Sequence, residues 1–137
     1  MEKIKWTRVL WGGLVAGVVV NAFILFPVLA VFGPPISLEG SETTTVAVLM
    51  AALAFLMTIP VTWLYASIRP RYGAGMKTAA LSGIVLGLLF CLFQMIAWIL
   101  ASRPIPPMVL ATSAAITFVS LFVAALLGAW IYDKPSS

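Results

Sequence analysis

Four stretches of about 24 or 25 residues contain no Asp, Glu, Lys or Arg: Val9 to Phe32, Thr44 to Ile68, Thr78 to Ala101 and Met108 to Tyr132. About 20 apolar residues in helical form cross the ~30 Å hydrocarbon core of a bilayer, where a backbone must satisfy its own hydrogen bonds. Each stretch is therefore read as a membrane-spanning helix. At ~1.5 Å per residue each is roughly 36 Å long, and tilt or the interface takes up the excess. Composition agrees: 63% of residues are hydrophobic and 9% charged, whereas a soluble domain carries roughly 25% charged residues. The mean hydropathy is +1.14. The 137 residues make one transmembrane domain.

Prolines and glycines punctuate the chain. Gly33-Pro34-Pro35 and Ser102-Arg103-Pro104-Ile105-Pro106-Pro107 stop helices. The first apolar run exceeds the ~7–15 residues of a signal-peptide core, so it is read as a retained helix. Ser41 or Thr43 caps the second helix, with Glu42 in its first turn. Pro60 predicts a kink near Leu56 to Pro60. The second helix is expected to end by Arg69, because the residue before a proline is pushed out of the α region. Arg69 and Arg71 then sit at a helix C-terminus, where cations suit the dipole, and Gly73 and Gly75 allow a tight reversal. Lys77 precedes the third helix, the wrong end for a cation, and orientation is its simplest explanation.

Charge sets the orientation. Lys3, Lys5, Arg8, Arg69, Arg71, Lys77 and Lys134 fall on one side of the spans. Arg103 falls on the other, with Glu39 and Glu42. A bias of seven to one among the eight basic residues places both termini and the central loop in the cytoplasm. Trp6, Trp11, Trp63, Tyr65, Tyr72, Trp130 and Tyr132 lie near that interface and Trp98 near the opposite one. The sequence pI of about 9.7 is thus a consequence of topology, not of nucleic-acid binding.

The halves, about 1–70 and 71–137, look like copies. Gly13-x-x-x-Gly17 matches Gly83-x-x-x-Gly87, Phe23 matches Phe93, and Pro34 matches Pro104. After a shorter loop Phe55 matches Phe122, and Trp63-Leu64-Tyr65 matches Trp130-Ile131-Tyr132. Two spans per copy return the chain to its starting side, so the repeat is parallel. The fold class expected is all-α: a four-helix transmembrane bundle of two helical hairpins.

Small-xxx-small faces, including Ala47-x-x-x-Ala51 and Ala124-x-x-x-Gly128, let helices approach closely. They mark a homodimer contact or, as the reading preferred here, packing within the monomer. Asn21 and Gln94 are the strongest polar groups inside the spans. A buried amide in lipid needs a partner, so both are expected to face other helices as buried polar contacts. No charged residue lies within a span, and the chain has no histidine and one cysteine, Cys91. Intramolecular disulfides are excluded; metal-ligand clusters, cofactor sites and an activated nucleophile are not expected, and the protein is not read as an enzyme.

The central loop is the remaining candidate site. Arg69, Arg71 and Lys77 stand at headgroup level, where each basic residue contributes about 1 kcal/mol of attraction to an anionic leaflet. They are candidate contacts for anionic lipid headgroups or a partner protein. The stretch Trp63-Leu64-Tyr65-Ala66 through Arg69-Pro70-Arg71-Tyr72-Gly73 to Gly75-Met76-Lys77-Thr78-Ala79, with Arg8-Val9-Leu10-Trp11-Gly12-Gly13, resembles a group of small bacterial four-span membrane proteins. That resemblance implies four helices and a bacterial inner membrane, and no activity. The function expected is a structural, interaction or lipid-contacting subunit, in a homodimer or larger membrane complex. A dimeric small-molecule transporter is the first alternative. The small multidrug exporters rely on a glutamate in their first helix, whereas the polar residue here is Asn21, which cannot carry a proton. A small membrane enzyme acting on a lipophilic substrate is the second; the glutathione-dependent kind needs charged helix ends, and only the Arg69–Lys77 loop offers them.

Overall fold

The computed structural model describes residues 3–22, 41–100 and 106–134, and contains no strand among them. Four helices follow in order: α1 Trp6–Val20, α2 Ser41–Tyr72, α3 Met76–Leu100 and α4 Pro107–Asp133. Segments of α2, α3 and α4 are long and apolar enough to cross a membrane. α1 has 15 residues and passes into a π-helical turn at Asn21 and Ala22. The expected continuation of the first helix to Phe32, the Gly33-Pro34-Pro35 stop, Glu39 and Arg103 lie outside the described residues.

The end of α2 corrects the expectation from Pro70. The helix runs through that proline to Tyr72. Proline removes one backbone donor, and here the loss falls in the last turns. The helix then closes on Gly73, whose positive φ of 84° suits a left-handed cap and whose N–H donates to the Arg69 carbonyl at 2.8 Å. The Thr78 hydroxyl donates to the Gly73 carbonyl at 2.8 Å, tying the turn to α3. Because α3 starts at Met76, Lys77 lies inside its first turn. α4 starts on Pro107, where the missing N–H has no helical partner to lose.

α1 packs on α2 and α4, α3 packs chiefly on α4, and α2 also touches α4. Glycines set these approaches. A Cβ on Gly13 would lie 2.8 Å from the Ile59 Cα of α2, and one on Gly83 would lie 2.9 Å from the Ala125 Cβ of α4. Gly17 faces Phe55, Gly87 faces Phe118 and Gly128 faces Thr62. With no side chain at Gly13, the Thr58 hydroxyl comes within 2.8 Å of its carbonyl and of the Phe55 carbonyl in its own helix, so its one proton is shared between an interhelical bond, worth roughly 0.6 kcal/mol when made, and a local one. These small-residue faces therefore serve contacts within the chain. The core is correspondingly lean: Ala16, Val20 and Ala124 pack in one cluster, and Val61, Leu121 and Ala125 in another. Leu88, Leu92, Phe93 and Ile99 of α3 point outward and are exposed, as suits a face against lipid.

Candidate functional site

Polar chemistry gathers at one end of the molecule, where the N-terminal segment, the α2–α3 turn and the end of α4 meet. Tyr65 is fully buried there, one helical turn before Arg69 on the same face of α2. Its hydroxyl donates to Asp133 Oδ2 and accepts the Gly75 N–H at 3.2 Å. Arg69 Nε meets the other carboxylate oxygen, Asp133 Oδ1, at 2.9 Å. Asp133 thus faces α2 with both oxygens: Oδ2 takes a hydrogen bond, and Oδ1 is a buried ion-pair contact without hydrogen-bond geometry. The Arg69 guanidinium also lies over the Tyr132 ring, 5.7 Å from its centre, a cation–π placement. Tyr65 and Tyr132 meet edge to face with ring centres 6.0 Å apart. Arg8 donates to the Tyr132 carbonyl at 3.1 Å and brings α1 into the same knot. Val9, Ala66, Ala79 and Ala129 form its apolar floor.

This arrangement separates the three cations named from the loop sequence. Arg69 is turned inward onto Asp133, while Arg71 and Lys77 are exposed and have no ion-pair partner among the described residues. Lys134 joins the exposed set, its Nζ 5.2 Å from the Trp130 ring centre. From sequence, Asp133, Tyr65, Tyr132 and Arg8 are not placed in this site: the tyrosines figure as interface aromatics and repeat markers, Arg8 as an orienting cation, and Asp133 has no role. The signal was present: Asp133 directly follows the second Trp-x-Tyr ending, and an acid at that depth among seven cations has many suitors.

The two amides lie far from this end. Gln94 Oε1 accepts the Thr117 hydroxyl at 2.8 Å, joining α3 to α4. Asn21 instead donates to the Gly17 carbonyl of its own helix at 2.9 Å. Neither approaches the other or the charged knot. Among the described residues, no group of three His, Cys, Asp or Glu side chains is placed to hold a metal.

Beside the knot, between the start of α3 and the end of α4, lies a cavity of about 310 Å³. Met76, Ala79, Leu126 and Ala129 give it apolar walls, and Trp130 and Lys134 stand at its rim. Comparison with protein-family models, curated proteins and solved structures finds no match for the chain.

Proposed function

We propose that this chain is a four-span protein of a bacterial inner membrane, with both termini and the α2–α3 turn in the cytoplasm. Its role is that of a lipid-contacting subunit without chemistry of its own, working in a homodimer or a larger complex. The observation that carries this reading is the division of the cations at the charged end. One arginine is neutralised by Asp133 inside the helix packing, whereas Arg71, Lys77 and Lys134 remain exposed at the helix ends. An exposed cation at headgroup level attracts anionic lipid by about 1 kcal/mol. The reading of a parallel duplication is supported by Tyr65 and Tyr132, matched in the repeat, which touch ring to ring. Further support comes from the matched glycines: those of α1 face α2 and those of α3 face α4.

The test is anionic-lipid enrichment around the protein in nanodiscs of mixed phosphatidylglycerol and phosphatidylcholine, at low and high salt. Arg71→Gln with Lys77→Gln removes about 2 kcal/mol of attraction in total, a loss of more than tenfold in preference, and high salt diminishes the difference. Equal enrichment in wild type and double variant would sink the lipid-contact reading.

A further inference from the structure

We infer that the crevice between α3 and α4 holds one anionic phospholipid, with its phosphate at Lys134 and one acyl chain against Trp130 and Leu126. The inference rests on the reading above, that this end lies among headgroups, and adds a discrete binding site to it. Size comes first. About 310 Å³ is at the lower limit of the ~300–1,000 Å³ of ligand clefts, enough for part of a lipid and too small for a folded segment.

The walls then define the occupant. From Lys134 at the mouth, the α4 wall descends through Trp130 to Leu126. That is about two helical turns, or roughly 10–12 Å. The charged groups, Asp133 and Lys134, stand at the top beside Met76 and Trp130, and below them the lining is apolar, with small Ala79 and Ala129 among it. A matching ligand has one polar head and an apolar segment reaching about two turns down, which is the form of an amphiphile.

Charge selects the head. Asp133 also lines the crevice, but its two oxygens are taken by Arg69 and the Tyr65 hydroxyl. Lys134 has no carboxylate partner among the described residues, and its cation faces the indole of Trp130. The charge offered to an occupant is therefore positive. Trp130 and Met76 are 64% and 68% exposed at this rim, a large apolar surface that an acyl chain covers. Trp63 provides an internal contrast. It has Ser67 four residues on, where Trp130 has Lys134, and the Ser67 hydroxyl is spent on the Trp63 carbonyl.

Native mass spectrometry of the full chain released from phosphatidylglycerol and phosphatidylcholine nanodiscs tests this. Wild type is expected to keep one phosphatidylglycerol per chain under activation that strips phosphatidylcholine. Lys134→Gln should lower that occupancy about fivefold, the effect of one cation near an anionic headgroup, and Trp130→Ala should lower it further. Trp63→Ala should leave it unchanged. All three side chains are exposed, and thermal unfolding in the same detergent reports whether each variant folds. If Trp130→Ala does not fold, Lys134→Gln alone decides. The inference is overturned by undiminished retention in Lys134→Gln, by equal retention of both lipids, or by oleate displacing the phospholipid. If Arg71→Gln with Lys77→Gln abolishes general enrichment while Lys134→Gln keeps its bound lipid, the crevice site fails and the broader reading stands. The reverse pattern overturns the general enrichment by Arg71 and Lys77 and keeps the site, which needs only that this end lies among headgroups.

Discussion

Asp133→Asn is the most incisive perturbation of the charged end. It keeps the side-chain shape, removes the charge that faces Arg69 Nε at 2.9 Å, and weakens the bond from the Tyr65 hydroxyl. Breaking a fully buried pair costs roughly 3–5 kcal/mol, and an exposed pair contributes roughly 0.2–1 kcal/mol. The Arg69 and Asp133 side chains are 28% and 25% exposed, so solvent screens part of the interaction and the estimate falls between these limits, at about 2 kcal/mol. Replacing a charge-assisted bond to Tyr65 by a neutral one adds about 1 kcal/mol. The expected loss is therefore about 2–3 kcal/mol, read as unfolding free energy from denaturing-detergent titration in mixed micelles. The pair is isolated by a cycle with Arg69→Gln, where a coupling of about 1 kcal/mol or more is expected for residues in direct contact. Arg71→Gln, which removes an exposed cation, should stay within about 0.5 kcal/mol of wild type. A coupling indistinguishable from zero, or equal losses for Asp133→Asn and Arg71→Gln, would refute the claim that the ion pair locks α2 to α4.

Gly13→Ala should destabilise by about 1–3 kcal/mol in the same titration, because overpacking moves backbone where the new Cβ would stand 2.8 Å from Ile59 Cα; a variant as stable as wild type would place α1 further from α2 than described. Single cysteines at Ser41 and Ala74, in a Cys91→Ala background, report orientation: an impermeant thiol reagent on intact cells should label Ser41→Cys only, and labelling of Ala74→Cys would reverse the proposed topology.

What the sequence determined was whatever depends on local chemistry. A helix in lipid satisfies its backbone within itself, so an uncharged run such as Thr78 to Ala101 already announces a helix, observed as Met76–Leu100. The α2–α3 reversal was equally legible, because Gly73 and Gly75 are the residues that tolerate the positive φ values of 84° and 134° found there. Local rules misled at Pro70, where a statistical bias against helix before proline gave way to Gly73 closing the helix one turn later.

Tertiary structure decided the pairing. Arg69 and Arg71 are alike in sequence, both basic and both beside Pro70, and the expectation treated them alike. They differ because α2 is a helix packed on α4. Arg69 shares the face of Tyr65 and meets Asp133, 64 residues away, while Arg71, about 200° further round the helix axis, remains exposed. No local pattern contains that distinction, since the register between two distant helices fixes it. The same holds for the amides: Gln94 finds Thr117 across α3 and α4, whereas Asn21 turns back to Gly17. Composition made both residues polar groups in need of a partner, and helix packing chose which partner each received.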